Sequence, residues 1–189
     1  VGTSTLTASS AGAMSATTNS VTVNASTATT LRFAAGSPPA TSAVGGCLQA
    51  TLERLDVEGN LTGVPSDLAV SAAATGAGST NGLVLVAGSS CTGGTPQTSV
   101  GLTFSGTANS TTFSYSPRAP GSLTFTVTGA SLTSAVGTTT VGAGNVDHVA
   151  YVSPPTGDQQ YDGCVPFQVE ALDVGGNRVS TAETVSLST

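Results

Sequence analysis

The side chains that could carry out chemistry in this 189-residue sequence are few: three cysteines, one histidine, ten carboxylates and four arginines, with no lysine. Nucleophilic catalysis of the serine–histidine–aspartate kind needs a histidine, and the single one is His148. It is not accompanied by a G-x-S-x-G, phosphate-loop, C-x-x-C or H-E-x-x-H motif. An exposed strand position explains His148 better than a catalytic role does, so we expect no enzyme and no cofactor.

An internal repeat organises the chain. The segment GCLQATLERLDVEGN, residues 46–60, returns as GCVPFQVEALDVGGN, residues 163–177, which is 117 residues further on. Self-similarity at a fixed period indicates a tandem array. The period predicts the C-terminal part of one unit in residues 1–28, a complete unit in residues 29–145 and the N-terminal part of a third in residues 146–189.

Two interpretations explain why an incomplete unit is predicted at each end of the sequence. The sequence is either a window within a longer tandem protein or a self-assembling subunit, whose trailing part-unit is completed by the leading part-unit of the next chain. We favour the window, because residues 146–189 joined to residues 1–28 contain no counterpart of about residues 73–118.

The repeat also explains the odd number of cysteines. Cys164 is the copy of Cys47, and the counterpart of Cys91 would follow the last residue of this sequence. We therefore predict a Cys47–Cys91 disulfide at the end of a strand, contributing about 4 kcal/mol in the chain-entropy model, and an unpaired Cys164. A disulfide implies export to an oxidising compartment. The alternative is three buried free thiols.

The two copies of the motif D-x-x-G-N each follow a predicted strand. An aspartate side chain accepts hydrogen bonds from nearby backbone N–H groups, and glycine and asparagine accept positive φ, so the motif predicts a turn. The turn-forming residues are Asp56, Gly59 and Asn60 in the first copy and Asp173, Gly176 and Asn177 in the second.

Alternation of apolar and hydroxyl side chains predicts strands throughout the chain. Leu123, Phe125 and Val127 alternate with threonines, which indicates one buried face and one solvated face. The predicted strands are residues 5–8, 20–23, 31–33, 48–52, 68–72, 83–87, 100–104, 112–115, 123–127 and 138–141. Short strands separated by turn residues indicate an all-β sandwich with seven to nine strands per complete unit.

The charge excludes two classes of partner. Only 7% of the residues are charged and the formal net charge is −6, whereas nucleic acids and anionic membrane surfaces require clustered basic residues. The four arginines are scattered, and no apolar run approaches the roughly 18 residues of a membrane span. We expect no nucleic acid partner and no membrane insertion in this segment.

Residues 46–73 and 82–132 resemble the tandem immunoglobulin-like repeats of large bacterial surface proteins, in a layout similar to the invasin and intimin type. The matching parts are the D-x-x-G-N turn after the second strand, a cysteine in the middle hairpin and Ala119-Pro120-Gly121 before the penultimate strand. The resemblance implies immunoglobulin-like units in an extracellular stalk, fibre or adhesin, and no catalytic residues.

Calcium at the unit junction is a candidate ligand that the repeat argues against. The acidic residues near the junction are Asp147, Asp158, Asp162 and Asp173, and their counterparts are Leu31, Ala40 or Thr41, Gly45 and Asp56; His148 aligns with Arg32. A calcium site needs six to eight oxygen ligands, and only one of these four carboxylates has an acidic counterpart in the complete unit. We expect no metal.

Three sequons are candidate glycosylation sites, at Asn24, Asn60 and Asn109. Such sequons also arise by chance in a chain rich in asparagine, serine and threonine. The threonine faces are equally open to O-linked sugars.

The sequence favours a structural role: an extracellular, cell-surface or secreted stalk or filament whose partners are neighbouring repeats of the same or identical chains. The short linker Gly144-Asn145-Val146 predicts little freedom between units. The alternative is an adhesin whose loops bind a glycan or another surface. The aromatic residues are expected at core positions, which leaves no cluster for a sugar platform.

Overall fold

The computed structural model describes residues 2–153, 157, 164, 166–180, 184 and 186. Asp158 and Asp162, named above as acidic residues near the junction, lie outside the described residues.

Strands dominate the described chain. In order they are β1 (Gly2–Ser4), β2 (Thr7–Ala8), β3 (Ala16–Thr17), β4 (Val21–Val23), β5 (Thr30–Phe33), β6 (Thr41–Ala43), β7 (Leu48–Leu55), β8 (Leu68–Thr75), β9 (Val84–Ala87), β10 (Ser99–Phe104), β11 (Ser110–Ser116), β12 (Gly121–Gly129), β13 (Ala135–Gly142), β14 (Val146–Ser153) and β15 (Gln168–Asp173). A single 3-10 turn, Ala77–Ser79, lies between β8 and β9.

Strands β5–β13 form a sandwich of two sheets, which we call the central sandwich. One sheet has the order β10-β8-β12-β13-β6 and the other has the order β5-β7-β11-β9. All pairs are antiparallel except β13 with β6. The fold is therefore an all-β, immunoglobulin-like sandwich, and its nine strands confirm the predicted range.

The core lies between the two sheets and is built around aromatic rings. Phe113 of one sheet meets Phe125 of the other edge to face, with ring centroids 5.3 Å apart, and Tyr115 lies 4.7 Å from Phe125. Leu123, Phe125 and Val127 are completely buried, as the alternation along β12 predicts. Burying each such side chain contributes about 2 kcal/mol relative to exposure.

One core position is charged. Arg54 follows the buried Ala50 and Leu52 in the same phase of β7 and is 0% exposed. Its guanidinium donates to the carbonyl oxygens of Pro65 and Gly106 and lies 5.2 Å from the centroid of the Phe104 ring. The arginine thus joins two loops to the core. Sequence reasoning missed this role, because it treated the four arginines as scattered surface charges.

The leading hairpin, β1 to β4, repeats the pairing of β12 with β13. Gly2 faces Val23 as Gly121 faces Val141. The residues of the leading hairpin are nevertheless exposed. Its apolar face therefore has no sheet packed against it in the described structure.

The trailing hairpin, β14 with β15, repeats the pairing of β5 with β7. Tyr151 faces Val169 as Phe33 faces Leu52. Unlike the core positions of β7, the residues of β15 are mostly half-buried or exposed, with Asp173 as the buried exception.

The register corrects one alignment made from the sequence. His148 faces Leu172 as Thr30 faces Leu55, so the counterpart of His148 is Thr30 and not Arg32. The sequence alignment paired His148 with Arg32 at an offset of 116 residues, whereas the observed register gives an offset of 118 residues in this strand.

Candidate functional site

The disulfide lies at one end of the four-stranded sheet. Cys47 immediately precedes β7, Cys91 follows β9, and the two Cα atoms are 5.9 Å apart. Strands β7 and β9 flank β11, so the bond ties together the two neighbours of one strand. Cys164 is free and exposed. The cysteines are therefore not three buried free thiols.

The first D-x-x-G-N turn is closed by its aspartate. Asp56 Oδ1 accepts hydrogen bonds from the backbone N–H groups of Glu58 and Asn60, at 3.1 and 2.8 Å, and the Asn60 amide donates to both carboxylate oxygens at 3.2 Å. Gly59 has φ +83°, a conformation that glycine adopts without strain. Asp56 is 3% exposed, and its negative charge is stabilised by hydrogen bonds from local N–H donors.

The second turn repeats this geometry. Asp173 Oδ1 accepts from the backbone N–H groups of Gly175 and Asn177, both at 2.9 Å, and from the Asn177 amide at 2.8 Å. Gly176 has φ +76°, and Asp173 is 0% exposed.

The second carboxylate oxygen of each aspartate accepts a hydrogen bond from a linker between two strands. Ser26 N–H donates to Asp56 Oδ2 at 3.1 Å, and Gly144 N–H donates to Asp173 Oδ2 at 3.0 Å. Ser26 lies between β4 and β5, and Gly144 lies between β13 and β14. The same contact thus recurs near both predicted unit boundaries. No sequence signal indicated it, because the donor is a backbone group.

Both aspartates remain charged because their hydrogen bonds outweigh their burial. Burial raises the pKa of Asp56, but hydrogen bonds from Asn60, Ser26 and Glu58 leave that pKa below its ordinary value. The pKa of Asp173 is lowered in the same way, by its turn and by the linker N–H. An ionised carboxylate is the form that accepts four such bonds.

The predicted glycosylation sites differ in accessibility. Asn24 and Asn109 are exposed, whereas the side-chain amide of Asn60 is bound to Asp56. The geometry favours Asn24 and Asn109 as acceptors, and their modification stays a prediction.

The other candidate chemistry is sparse. His148 and Asp147 form a surface pair, with Nδ1 and Oδ2 3.0 Å apart and both side chains about half exposed. Asp147 lies at a register shift of β14, between Val146, which faces Asp173, and His148, which faces Leu172, so it is not the counterpart of Leu31. Among the described residues, no group of three or more histidine, cysteine, aspartate or glutamate side chains is placed to hold a metal ion. The same residues include no helix that is long and apolar enough to cross a membrane.

Two aromatic side chains depart from the expectation that the aromatic residues occupy core positions. Tyr151 and Phe167 are 58% and 45% exposed, and their rings meet edge to face at 6.1 Å on the trailing hairpin. Sequence reasoning assigned them to a core from their phase. In the described structure, no second sheet covers that face.

No protein-family model and no curated protein matches this sequence. The structure is similar to that of FdeC, an adhesin of Escherichia coli, at 18% identity over 85% of this chain and 46% of that chain, with a TM-score of 0.47. It is also similar to domains 4–9 of the surface layer protein SbsC, at 18% identity over 98% of this chain and 27% of that chain, with a TM-score of 0.41. A family 2 glycosyl hydrolase from Bacteroides cellulosilyticus is similar at 18% identity over 68% of this chain and 16% of its own, with a TM-score of 0.41. The chain thus spans about half the length of the FdeC chain and smaller fractions of the other two.

Proposed function

We propose that this chain is part of an extracellular structural protein, in which immunoglobulin-like units follow one another as a stalk or filament on a bacterial surface. The units are residues 1–28, 29–145 and 146–189, the first and last being partial. The observation that carries the proposal is the repeated contact at the two boundaries, Ser26 with Asp56 and Gly144 with Asp173. The contact recurs at both boundaries and ties each linker to the turn of the unit that follows it, which favours an extended array of units.

The outer surface of the five-stranded sheet suits such a role. On this face Thr124 of β12 lies beside Thr138 of β13 and Thr75 of β8. Hydroxyl pairs across strands stabilise a sheet without adding charge. The disulfide adds a covalent brace and supports export, because disulfides persist in oxidising compartments. The resemblance of the sequence to bacterial surface repeats supplies the cellular setting.

Two measurements test the proposal. Small-angle scattering of the chain should give a radius of gyration clearly above the ~16 Å of a compact 189-residue protein, because the hairpins extend from the two ends of the sandwich. Immunogold labelling of intact cells that produce the protein should mark the cell surface. A compact particle, or label only in permeabilised cells, would contradict a surface rod.

A second candidate function is glycan binding, and the exposed Tyr151–Phe167 pair favours it, because aromatic faces pack against sugar rings. The register argues for the structural role instead: Tyr151 occupies the position of Phe33, which packs on the core of the central sandwich. Glycan-array binding by the chain, abolished by Tyr151→Ala, would favour the adhesin.

A further inference from the structure

The second D-x-x-G-N turn contacts more of the central sandwich than the linker alone. The Asn177 amide donates to the carbonyl oxygen of Arg118 at 2.8 Å, and the Arg118 guanidinium lies 3.5 Å from the carbonyl oxygen of Val174. The Val174 side chain lies against Gly45, close enough that a Cβ on this glycine would come within 2.6 Å of Val174 Cγ1. Turn 173–177 is therefore docked on the end of the sandwich that carries Gly45 and Arg118.

Gly175 is the closest point of this contact. A Cβ built on Gly175 would lie 2.0 Å from the carbonyl oxygen of Arg118 and 2.9 Å from its carbonyl carbon, both backbone atoms. Real Cβ atoms do not approach that closely, so any side chain larger than hydrogen at this position separates the turn from the sandwich. The backbone of Gly175 is outside the left-handed region, so the turn itself does not need glycine here.

The first turn carries a side chain at the same position. Its sequence is D-V-E-G-N where the second is D-V-G-G-N, so Glu58 takes the place of Gly175. The turn still forms, since the backbone N–H of Glu58 donates to Asp56. Val57 is 72% exposed, against 45% for Val174, and the described residues before the first turn include no counterparts of Gly45 and Arg118 on which it could dock. The Asn60 amide donates only to Asp56, within its own turn. The Asn177 amide, in contrast, also donates to the Arg118 carbonyl of the sandwich.

From these contacts we infer that the end of the central sandwich formed by Gly45 and Arg118 is an interaction surface whose partner is the D-V-G-G-N turn of the following unit, and that Gly175 determines whether this turn docks. Glycine at the third position of the turn allows this docking, and a larger side chain there prevents it. The inference rests on the proposed tandem function, because it describes how one unit is held against the next.

The test is NMR relaxation of the full chain, which reports whether the trailing hairpin and the central sandwich tumble together. In the parent protein both should share one rotational correlation time. In Gly175→Glu the trailing hairpin should tumble independently, and exchange of the Gly144 amide should accelerate about tenfold or more, because its acceptor is no longer held in place. The matched control is Glu58→Gly, which should change neither quantity.

A second pair of variants guards against failure of the first to fold. Val174→Ser removes the apolar contact with Gly45 and should loosen the hairpin partially, while Val57→Ser, at an exposed position, should have no effect. Independent tumbling in the parent, or joint tumbling retained in both Gly175→Glu and Val174→Ser, would overturn the inference. Scattering and labelling test the proposed function separately, since a protein with flexible junctions still reaches the cell surface.

Discussion

Asp173 accepts a hydrogen bond from the backbone N–H of Gly144, 29 residues earlier in the chain, at 3.0 Å. The carboxylate is buried, and its other oxygen closes the turn that ends β15. One side chain therefore sets both the local turn and the position of the linker, and the first repeat does the same with Asp56 and Ser26.

Asp173→Asn should loosen the trailing hairpin without unfolding the central sandwich. The amide keeps the size of the carboxylate but removes its charge and replaces one acceptor oxygen by a donor, so at least one N–H loses its partner. Hydrogen exchange should accelerate in Val146–Ser153 and Gln168–Asp173 and stay unchanged in β7 and β11. Asp147→Asn is the control, because that carboxylate is half exposed. Equal exchange in both variants would contradict the role of Asp173.

Acid should weaken the junctions and the first turn together. The folded pKa of each turn aspartate lies below its ordinary value of 3.8, so the stabilisation is fully present above that value and is lost as the pH falls through the lowered pKa. The free energy of unfolding, measured by denaturant titration from neutral pH downwards, should decrease only in that acidic range. The decrease should be smaller in the double variant Asp56→Asn, Asp173→Asn. An identical pH dependence in the two proteins would refute the assignment.

Removing the disulfide should lower the stability of the central sandwich substantially. The bond closes a loop with a sequence separation of 44 residues, for which the chain-entropy model gives about 4 kcal/mol. The paired substitution Cys47→Ser, Cys91→Ser should lower the free energy of unfolding by about that amount in denaturant titration. Cys164→Ser removes an exposed free thiol and should be neutral. An equal free energy of unfolding in the double variant and the parent would show that the disulfide does not stabilise the sandwich.

Arg54→Met should destabilise the sandwich more than any other arginine substitution. The substitution leaves the carbonyl oxygens of Pro65 and Gly106 without their donor in a buried site, and each lost partner costs about 1–3 kcal/mol. Burial lowers the pKa of the guanidinium and Asp67 partly offsets this, but an arginine side chain stays charged in proteins. Arg32→Met is the control: it breaks an exposed pair with Glu53, which contributes about 0–1 kcal/mol. Comparable losses in the two variants would contradict this account.

The sequence predicted those features that one strand or one turn encodes locally. The alternation of Leu123, Phe125 and Val127 with threonines specifies a buried face, and the D-x-x-G-N pattern specifies the turns. Arg54 was not predicted, because its buried phase conflicts with its charge and its acceptors are carbonyl groups of distant loops.

The docked turn was equally beyond sequence reasoning. The partner of Asn177 is the carbonyl of Arg118, 59 residues away, and every residue type has a carbonyl. Strand β6 was also not predicted. It has only three residues, and its partner β13 lies about 100 residues later in the sequence.

This parallel pair of β6 and β13 decides how the central sandwich responds to tension. Force applied between the start of β5 and the end of β13 pulls the two parallel strands lengthwise past each other, so their ladder bonds are loaded together and not one after another. If these hydrogen bonds break, the Cys47–Cys91 disulfide still prevents the segment between the two cysteines from extending. The central sandwich should therefore resist extension until this ladder breaks, and the loop closed by the disulfide should not extend even then.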